Sequence, residues 1–193
     1  MVSVTAPRRR SPQRLRVLFG TTSAGLAVDL ALLVVRIGLA WVFIYYGAAK
    51  LFGAFPGAGP HGIHQTSLYM SQSAHLRPGG FFAVLGGLSE FGGGIAMAVG
   101  LCTRLAGLAL FGDMVMAMIT VTWATGINSA NDPPGYQINL ALAVMGLAVA
   151  LTGAGRFSID ALIASAFGRS GKVDSANGGF AGTGSAHTNV ITR

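Results

Sequence analysis

The chain has 193 residues, of which 52% are hydrophobic and only 10% are charged, and its formal net charge is +7. Because a soluble domain usually carries about 25% charged residues, this composition excludes an ordinary soluble enzyme and indicates an integral membrane protein. The basic residues lie at the ends of apolar segments and do not form one patch, so the charge does not indicate a nucleic-acid partner.

Four apolar segments are each long enough to cross a bilayer as a helix, which takes about 20 residues for about 30 Å of hydrocarbon. They cover residues 26–50, 81–102, 105–125 and 136–153. The first follows an arginine-rich stretch, as a signal peptide would, but its apolar run continues past Arg36, so we interpret it as a retained span. The simplest closed arrangement is an all-α, four-helix antiparallel bundle in the membrane.

Basic residues are distributed unequally between the two sides of these segments. The first loop contains only Lys50 and Arg77, and the loop before the fourth segment contains none. Most of the others lie on the opposite side: Arg8, Arg9, Arg10, Arg14, Arg16, Arg104, Arg156, Arg169, Lys172 and Arg193. The positive-inside rule therefore predicts that both termini lie in the cytoplasm.

The sequence divides into three parts: a basic amino-terminal segment at residues 1–25, a helical domain at residues 26–163 and a Gly/Ser-rich tail at residues 164–193. In the first loop, apolar residues spaced among polar ones predict a short amphipathic helix over residues 63–76, on the outer surface. The tail has the composition of a disordered or partner-binding segment.

Three ionisable residues lie inside the apolar segments: Arg36, Glu90 and Asp113. Counted at 1.5 Å per residue from the cytoplasmic ends, they are about 13, 18 and 13 Å deep, so we expect them at similar depth. Charges are costly there and mark candidate functional sites. Two carboxylates beside one arginine suit proton exchange with a quinone or a proton relay. An ion-paired network that only locks the helices together is the alternative.

Small residues flank both carboxylates four positions away on each side. That spacing allows helices to approach closely, or leaves room for a ligand beside the carboxylate. The residues concerned are Gly86 and Gly94 around Glu90, and Ala109 and Ala117 around Asp113.

The first apolar segment carries a stripe that we expect to face the bundle interior. The same segment ends in an aromatic cluster followed by Lys50, a combination typical of an anchor at the membrane interface. The stripe consists of Arg36, Ala40, Phe43, Gly47 and Lys50.

At the end of the fourth segment, Arg156 follows a pair of glycines, where it would meet both lipid headgroups and the carbonyl end of a helix. It is also spaced to pair with Asp160 if the following turn is helical.

Three histidines lie in the first loop: His61, His64 and His75. Gly and Pro residues around the first of them disfavour the helix that would align a metal site, so no metal site is predicted.

Taken in order, these motifs resemble those of the DoxX family of small membrane proteins, over roughly residues 28–163. The motifs are Arg36-Ile37-Gly38, Gly47-Ala48-Ala49-Lys50-Leu51, Glu90-Phe91-Gly92-Gly93-Gly94, Gly100-Leu101-Cys102-Thr103-Arg104 and the ending from Gly153 to Asp160.

The family resembles the membrane subunit of thiosulfate:quinone oxidoreductases. The resemblance implies a multi-pass protein of the bacterial cytoplasmic membrane that binds a quinone. Glu90 and Asp113 would be catalytic, and Arg36, Lys50 and Arg156 would bind the cofactor. One departure weakens a proton pathway to the outer face: residues 136–139 read Tyr-Gln-Ile-Asn where many relatives have a glutamate.

The sequence contains no haem-attachment, iron–sulfur, flavin or metal motif, so electrons would have to come from a soluble redox or sulfur-handling protein on the cytoplasmic side. The rival hypothesis is a non-catalytic scaffold that recruits such proteins through its basic start and its tail. A transporter is less well supported, because no inverted repeat is visible, unless the protein forms a homo-oligomer.

Overall fold

The computed structural model describes residues 25–57 and 59–166. Within these residues all regular structure is helical and there is no strand. The main helices are α1 (Leu26–Phe52), α2 (Gly62–Gln72), α3 (Gly79–Val99), α4 (Thr103–Ala117) and α5 (Gln137–Thr152), and residues 159–166 form a last helix, α6. The basic segment predicted at residues 1–25 lies outside the described residues apart from Gly25, as does the predicted tail apart from residues 164–166.

Within residues 25–57 and 59–166, three helices are long and apolar enough to cross a membrane: α1, α3 and the unit Thr103–Thr125. That unit is α4 continued by a π-helical turn, Met118–Thr122, and a 3₁₀ turn. All three match predicted spans to within a few residues. The fourth predicted span corresponds to α5, which is apolar but has only 16 residues. The predicted surface helix is α2, which ends four residues earlier than expected.

Glycines allow the helices to pack backbone to backbone. A Cβ added at Gly47 of α1 would collide with the backbone of Phe91 in α3. A Cβ at Gly107 of α4 would lie 2.7 Å from the carbonyl oxygen of Gly146 in α5. Small residues at such crossings bring apolar helices into van der Waals contact. Gly47 therefore allows α1 to pack closely against α3, and Gly107 allows α4 to pack closely against α5.

The two ends of the helices differ in structure. At one end, here named the Cys102 end, the start of α1, the α3–α4 turn and the chain after α5 meet. The Asp160 amide donates to the Gly100 carbonyl there, at 2.9 Å. At the other, the α2 end, α2 and the residues between α4 and α5 cover the bundle.

α1 and α3 are not level with each other. Leu51, near the end of α1, packs on Gly87, so the first two turns of α3 lie beyond the end of α1. α2 covers those turns instead: Gly79 packs against Ser67, and Gly86 lies near Met70. The chain that connects α1 to α3 therefore packs against the first turns of α3. The last turn of α1 lies next to this connecting segment.

A layer of apolar side chains fills the bundle between the Cys102 end and its middle. Its members Leu39, Phe43, Met97, Leu110 and Val149 are all at most 1% exposed. Large apolar residues on the outside, such as Trp41 and Leu151, are mostly exposed, as expected for helices that face lipid.

Candidate functional site: a charged chamber beneath α2

The ammonium group of Lys50 lies 2.6 Å from Oε1 of Glu90, and the two side chains are 21% and 3% exposed. Lys50 is only two residues from the end of α1, yet it is level with the middle of α3. The reason is that the first two turns of α3 lie beyond the end of α1 and are covered by α2. The prediction that Lys50 anchors the helix at the membrane surface is therefore wrong. The predicted inward-facing stripe of α1 is confirmed: Lys50 turns inward to Glu90, and the other members of the stripe are buried.

Asp113 of α4 completes the charged group. It is close enough to both Lys50 and Glu90 for strong electrostatic interaction. A Cβ added at Gly86 of α3 would lie 3.4 Å from Oδ1 of Asp113, so the absence of a side chain at Gly86 leaves room for this carboxylate. The structure thus brings together the two predicted carboxylates, with a lysine as their cation.

These three side chains line a cavity of about 940 Å³, here named the chamber. This volume lies within the range of about 300–1,000 Å³ typical of small-molecule sites. Most of its wall is apolar, including Phe43 and Leu142. Buried Oε2 of Glu90 has no hydrogen-bond partner among the described residues. A buried carboxylate oxygen normally has one, which here can come from water, from a ligand or from the neighbouring carboxyl group of Asp113 when that group is protonated.

The small residues that flank Glu90 and Asp113 serve both of the roles predicted for them: some leave room for a ligand, and one allows close helix packing. Gly86, Ala109 and Ala117 line the chamber. Gly94 instead allows close packing, because a Cβ there would lie 2.9 Å from the backbone nitrogen of Ile44.

α2 and α5 contribute polar groups that the sequence analysis did not select. Tyr69 of α2 lines the chamber near Lys50; burial raises the pKa of its hydroxyl, and the charge of Lys50 opposes that shift. Asn139 of α5 also lines it and donates from Nδ2 to Oγ1 of Thr122, at 3.2 Å. Thr122 belongs to the π-helical turn, a distortion often found at functional sites. The residue types alone carried no signal for either position.

Arg36 lies at the Cys102 end and not in the chamber. It is fully buried, and its guanidinium donates to the carbonyls of Met97 at 3.0 Å, Ala154 at 2.7 Å and Phe157 at 2.9 Å. Along α1 it is 14 residues from Lys50, or about 21 Å. The expectation of similar depth for Arg36, Glu90 and Asp113 is wrong, because the start of α1 extends past the end of α3.

Arg156 also lies at the Cys102 end. Its backbone amide donates to Oδ1 of Asp29 at 3.0 Å, and its guanidinium, 62% exposed, is 3.9 Å from Oδ2 of the same residue. The predicted partner Asp160 instead accepts hydrogen bonds from the amides of Cys102 at 2.8 Å and Thr103 at 3.0 Å. Asp29 was missed, although a lone acid at the start of an apolar span is a visible signal.

The loop histidines are placed separately. Nε2 of His61 accepts a weak hydrogen bond from the Gly57 amide, at 3.4 Å. Over residues 25–57 and 59–166, no group of three or more His, Cys, Asp or Glu residues is arranged to hold a metal ion.

The long apolar helices and the charged chamber between them define an α-helical membrane protein. The sequence profile of the DoxX family matches residues 31–123, which include Lys50, Glu90 and Asp113. Inner membrane protein YqjF of Escherichia coli (strain K12) is 33% identical over 137 residues, covering 70% of this chain and 93% of that protein. The chain therefore belongs to the DoxX family. No solved structure is significantly similar to it.

Proposed function

We propose that this protein is the membrane subunit of a redox system and binds a quinone in the chamber. The observation that supports this is the grouping of Lys50, Glu90 and Asp113 inside a mostly apolar cavity of about 940 Å³. A quinone is a flat, largely apolar ring with two carbonyl oxygens, so it needs apolar walls and hydrogen-bond donors. Of the five predicted site residues, we retain these three, assign Arg36 to holding the Cys102 end together and place the exposed side chain of Arg156 at the surface of that end.

In this proposal Lys50 donates a hydrogen bond to a quinone oxygen, since a lysine ammonium carries three donors and only one is used by Glu90. Reduction of a quinone to a quinol takes up two electrons and two protons. The two carboxylates relay these protons one at a time: each takes up a proton from water in the chamber and passes it to a quinone oxygen. The electrons come from a soluble redox or sulfur-handling protein, because the sequence contains no redox-centre motif.

For the membrane arrangement, we propose that α5 is a fourth span and that the Cys102 end faces the cytoplasm of a bacterial cell. Arg104 and Arg156 lie at that end, and the arginine-rich start of the chain precedes it. The inner-membrane relative supports this location. The soluble electron donor would then dock at the Cys102 end.

Quinone binding is tested by native mass spectrometry of the protein in a mild detergent, with added decylubiquinone. The wild type should carry one bound quinone, and Lys50→Met should lose it. Arg77→Met is the matched control, because Arg77 is an exposed loop cation outside the chamber. A wild type that binds no quinone, or equal binding by Lys50→Met, would refute the proposal.

A scaffold without catalytic activity is the second candidate, supported by how firmly the Cys102 end is held. Arg36, Asp29 and Asp160 fix the chain that leads into α6, where Leu162 is 67% exposed. Deleting residues 168–193 should then release a soluble partner from isolated membranes without unfolding the helices. Retention of the partner would count against recruitment by the tail.

A further inference from the structure

The residues outside the helices that line the chamber all come from one end of the molecule. Besides the helices, the lining includes Gly57, Gly59 and Pro60 before α2, and Pro134 and Gly135 before α5. All of these lie at the α2 end. The α3–α4 turn and the chain after α5, which form the Cys102 end, contribute no lining residue.

The path from the charged group to the Cys102 end is closed by two successive barriers. The first is the apolar layer, in which Leu39, Met97 and Leu110 are 0% exposed. The second is Arg36, also 0% exposed, whose guanidinium is held by backbone carbonyls of the last turn of α3 and of the chain after α5. A fully buried apolar layer at native packing density leaves no space for a file of water.

Towards the α2 end the chamber is lined by groups that can hydrogen-bond water. Tyr69, Thr122 and Asn139 all lie along it. At its inner part, Oε2 of Glu90 is buried and lacks a hydrogen-bond partner among the described residues. Such an atom is normally satisfied by water when no protein group serves it, and the buried apolar layer lies between this atom and the Cys102 end.

We infer that the Lys50, Glu90 and Asp113 site exchanges protons and small hydrophilic solutes with the compartment at the α2 end alone. The site is then a blind, water-filled chamber rather than a channel. Its consequence for catalysis rests on the proposed function: the protons taken up by the quinone come from the compartment at the α2 end. The accessibility itself does not require a quinone.

Single cysteines and a membrane-impermeant methanethiosulfonate reagent test this inference. The native Cys102 is first replaced by serine, which leaves the described chain free of thiols. Ser89→Cys then places a thiol in the chamber wall beside Glu90. Gln72→Cys marks the α2 end and Ser165→Cys marks the Cys102 end, both at exposed positions. Each full-length variant is reconstituted in sealed vesicles and treated from one side at a time.

Ser89→Cys should be modified when the reagent is added on the side that modifies Gln72→Cys. It should not be modified when the reagent is added on the side that modifies Ser165→Cys. Labelling from the Ser165 side, from both sides, or only by a membrane-permeant maleimide would overturn the inference. If Ser89→Cys fails to fold, Ala117→Cys, one turn from Asp113 in the chamber wall, replaces it. Normal labelling in a protein that binds no quinone would refute the proposed function and leave this inference standing.

Discussion

Lys50 and Glu90 form an ion pair at 2.6 Å, although Lys50 lies in the last turn of α1 and Glu90 lies in the middle of α3. The pair joins α1 to α3 at the wall of the chamber, where only the lysine retains some exposure. Removing one member of a buried pair leaves the other charge without compensation, whereas removing both together costs far less. The difference in stability between the single and double substitutions can therefore be measured directly.

Lys50→Met should destabilise the protein by about 3 kcal/mol, because Glu90 and Asp113 then face each other without a cation. Glu90→Gln in the same background should recover part of that loss, since it removes one of the two opposing charges. Unfolding in mild detergent, followed by circular dichroism for the two single variants and the double variant, measures the coupling. Strictly additive losses would show that the two side chains do not interact.

Gly86 and Gly94 are placed symmetrically about Glu90 in the sequence but should respond differently to alanine. A methyl group at Gly86 meets Asp113 at 3.4 Å, an ordinary contact, whereas one at Gly94 comes within 2.9 Å of the backbone of Ile44. Gly94→Ala should therefore lower the melting temperature, because backbone cannot give way as a side chain can. Gly86→Ala should leave it nearly unchanged. Equal shifts for the two variants would contradict this.

A larger side chain at Gly86 should reduce ligand binding without separating the helices. Gly86→Leu would extend towards Asp113 and into the chamber, whose volume it would reduce. We expect weaker decylubiquinone binding with the folded state preserved. Native mass spectrometry and the melting temperature read the two effects separately. Gly92→Leu in the same helix is the control, since a Cβ at Gly92 meets no atom within 4 Å and Gly92 does not line the chamber. Undiminished binding by Gly86→Leu would place the quinone elsewhere.

Arg36→Lys should destabilise the protein despite preserving the charge. A lysine ammonium cannot reproduce the planar array of donors that reaches Met97, Ala154 and Phe157 together. Since each hydrogen bond to a charged group contributes about 1.5–3 kcal/mol, loss of two should lower the free energy of unfolding by about 3 kcal/mol or more. Quinone binding should persist in the folded fraction. Wild-type stability for this variant would show that the guanidinium geometry is unimportant.

The sequence predicted the helices well and the site in part, for a physical reason. Apolar length predicts which helices can cross a membrane, and counting along α3 and α4 predicted that Glu90 and Asp113 lie at a similar level. The same count misplaced Arg36, because it assumes that all helices begin at the same level. Lys50 was misplaced by the same assumption, since the end of α1 was taken as the membrane surface. The offset of α1 depends on how α2 covers the start of α3, and hydropathy contains no information about this packing.

The last prediction concerns the start of α4, which is capped from a distance. Cys102 occupies the N-cap position of α4, but its side chain makes no capping hydrogen bond. Instead, the carboxylate of Asp160, 58 positions further along the chain, accepts a hydrogen bond from the Cys102 amide. Asp160→Ala should cost about 1–2 kcal/mol, as loss of a helix cap does. Hydrogen exchange at the amides of Cys102 and Thr103 should accelerate, while that at Leu110 stays slow. Arg156→Ala is the control, because its side chain is largely exposed and such pairs contribute little. Unchanged exchange at Thr103 in Asp160→Ala would mean that the α3–α4 turn is stable without the hydrogen bonds to Asp160.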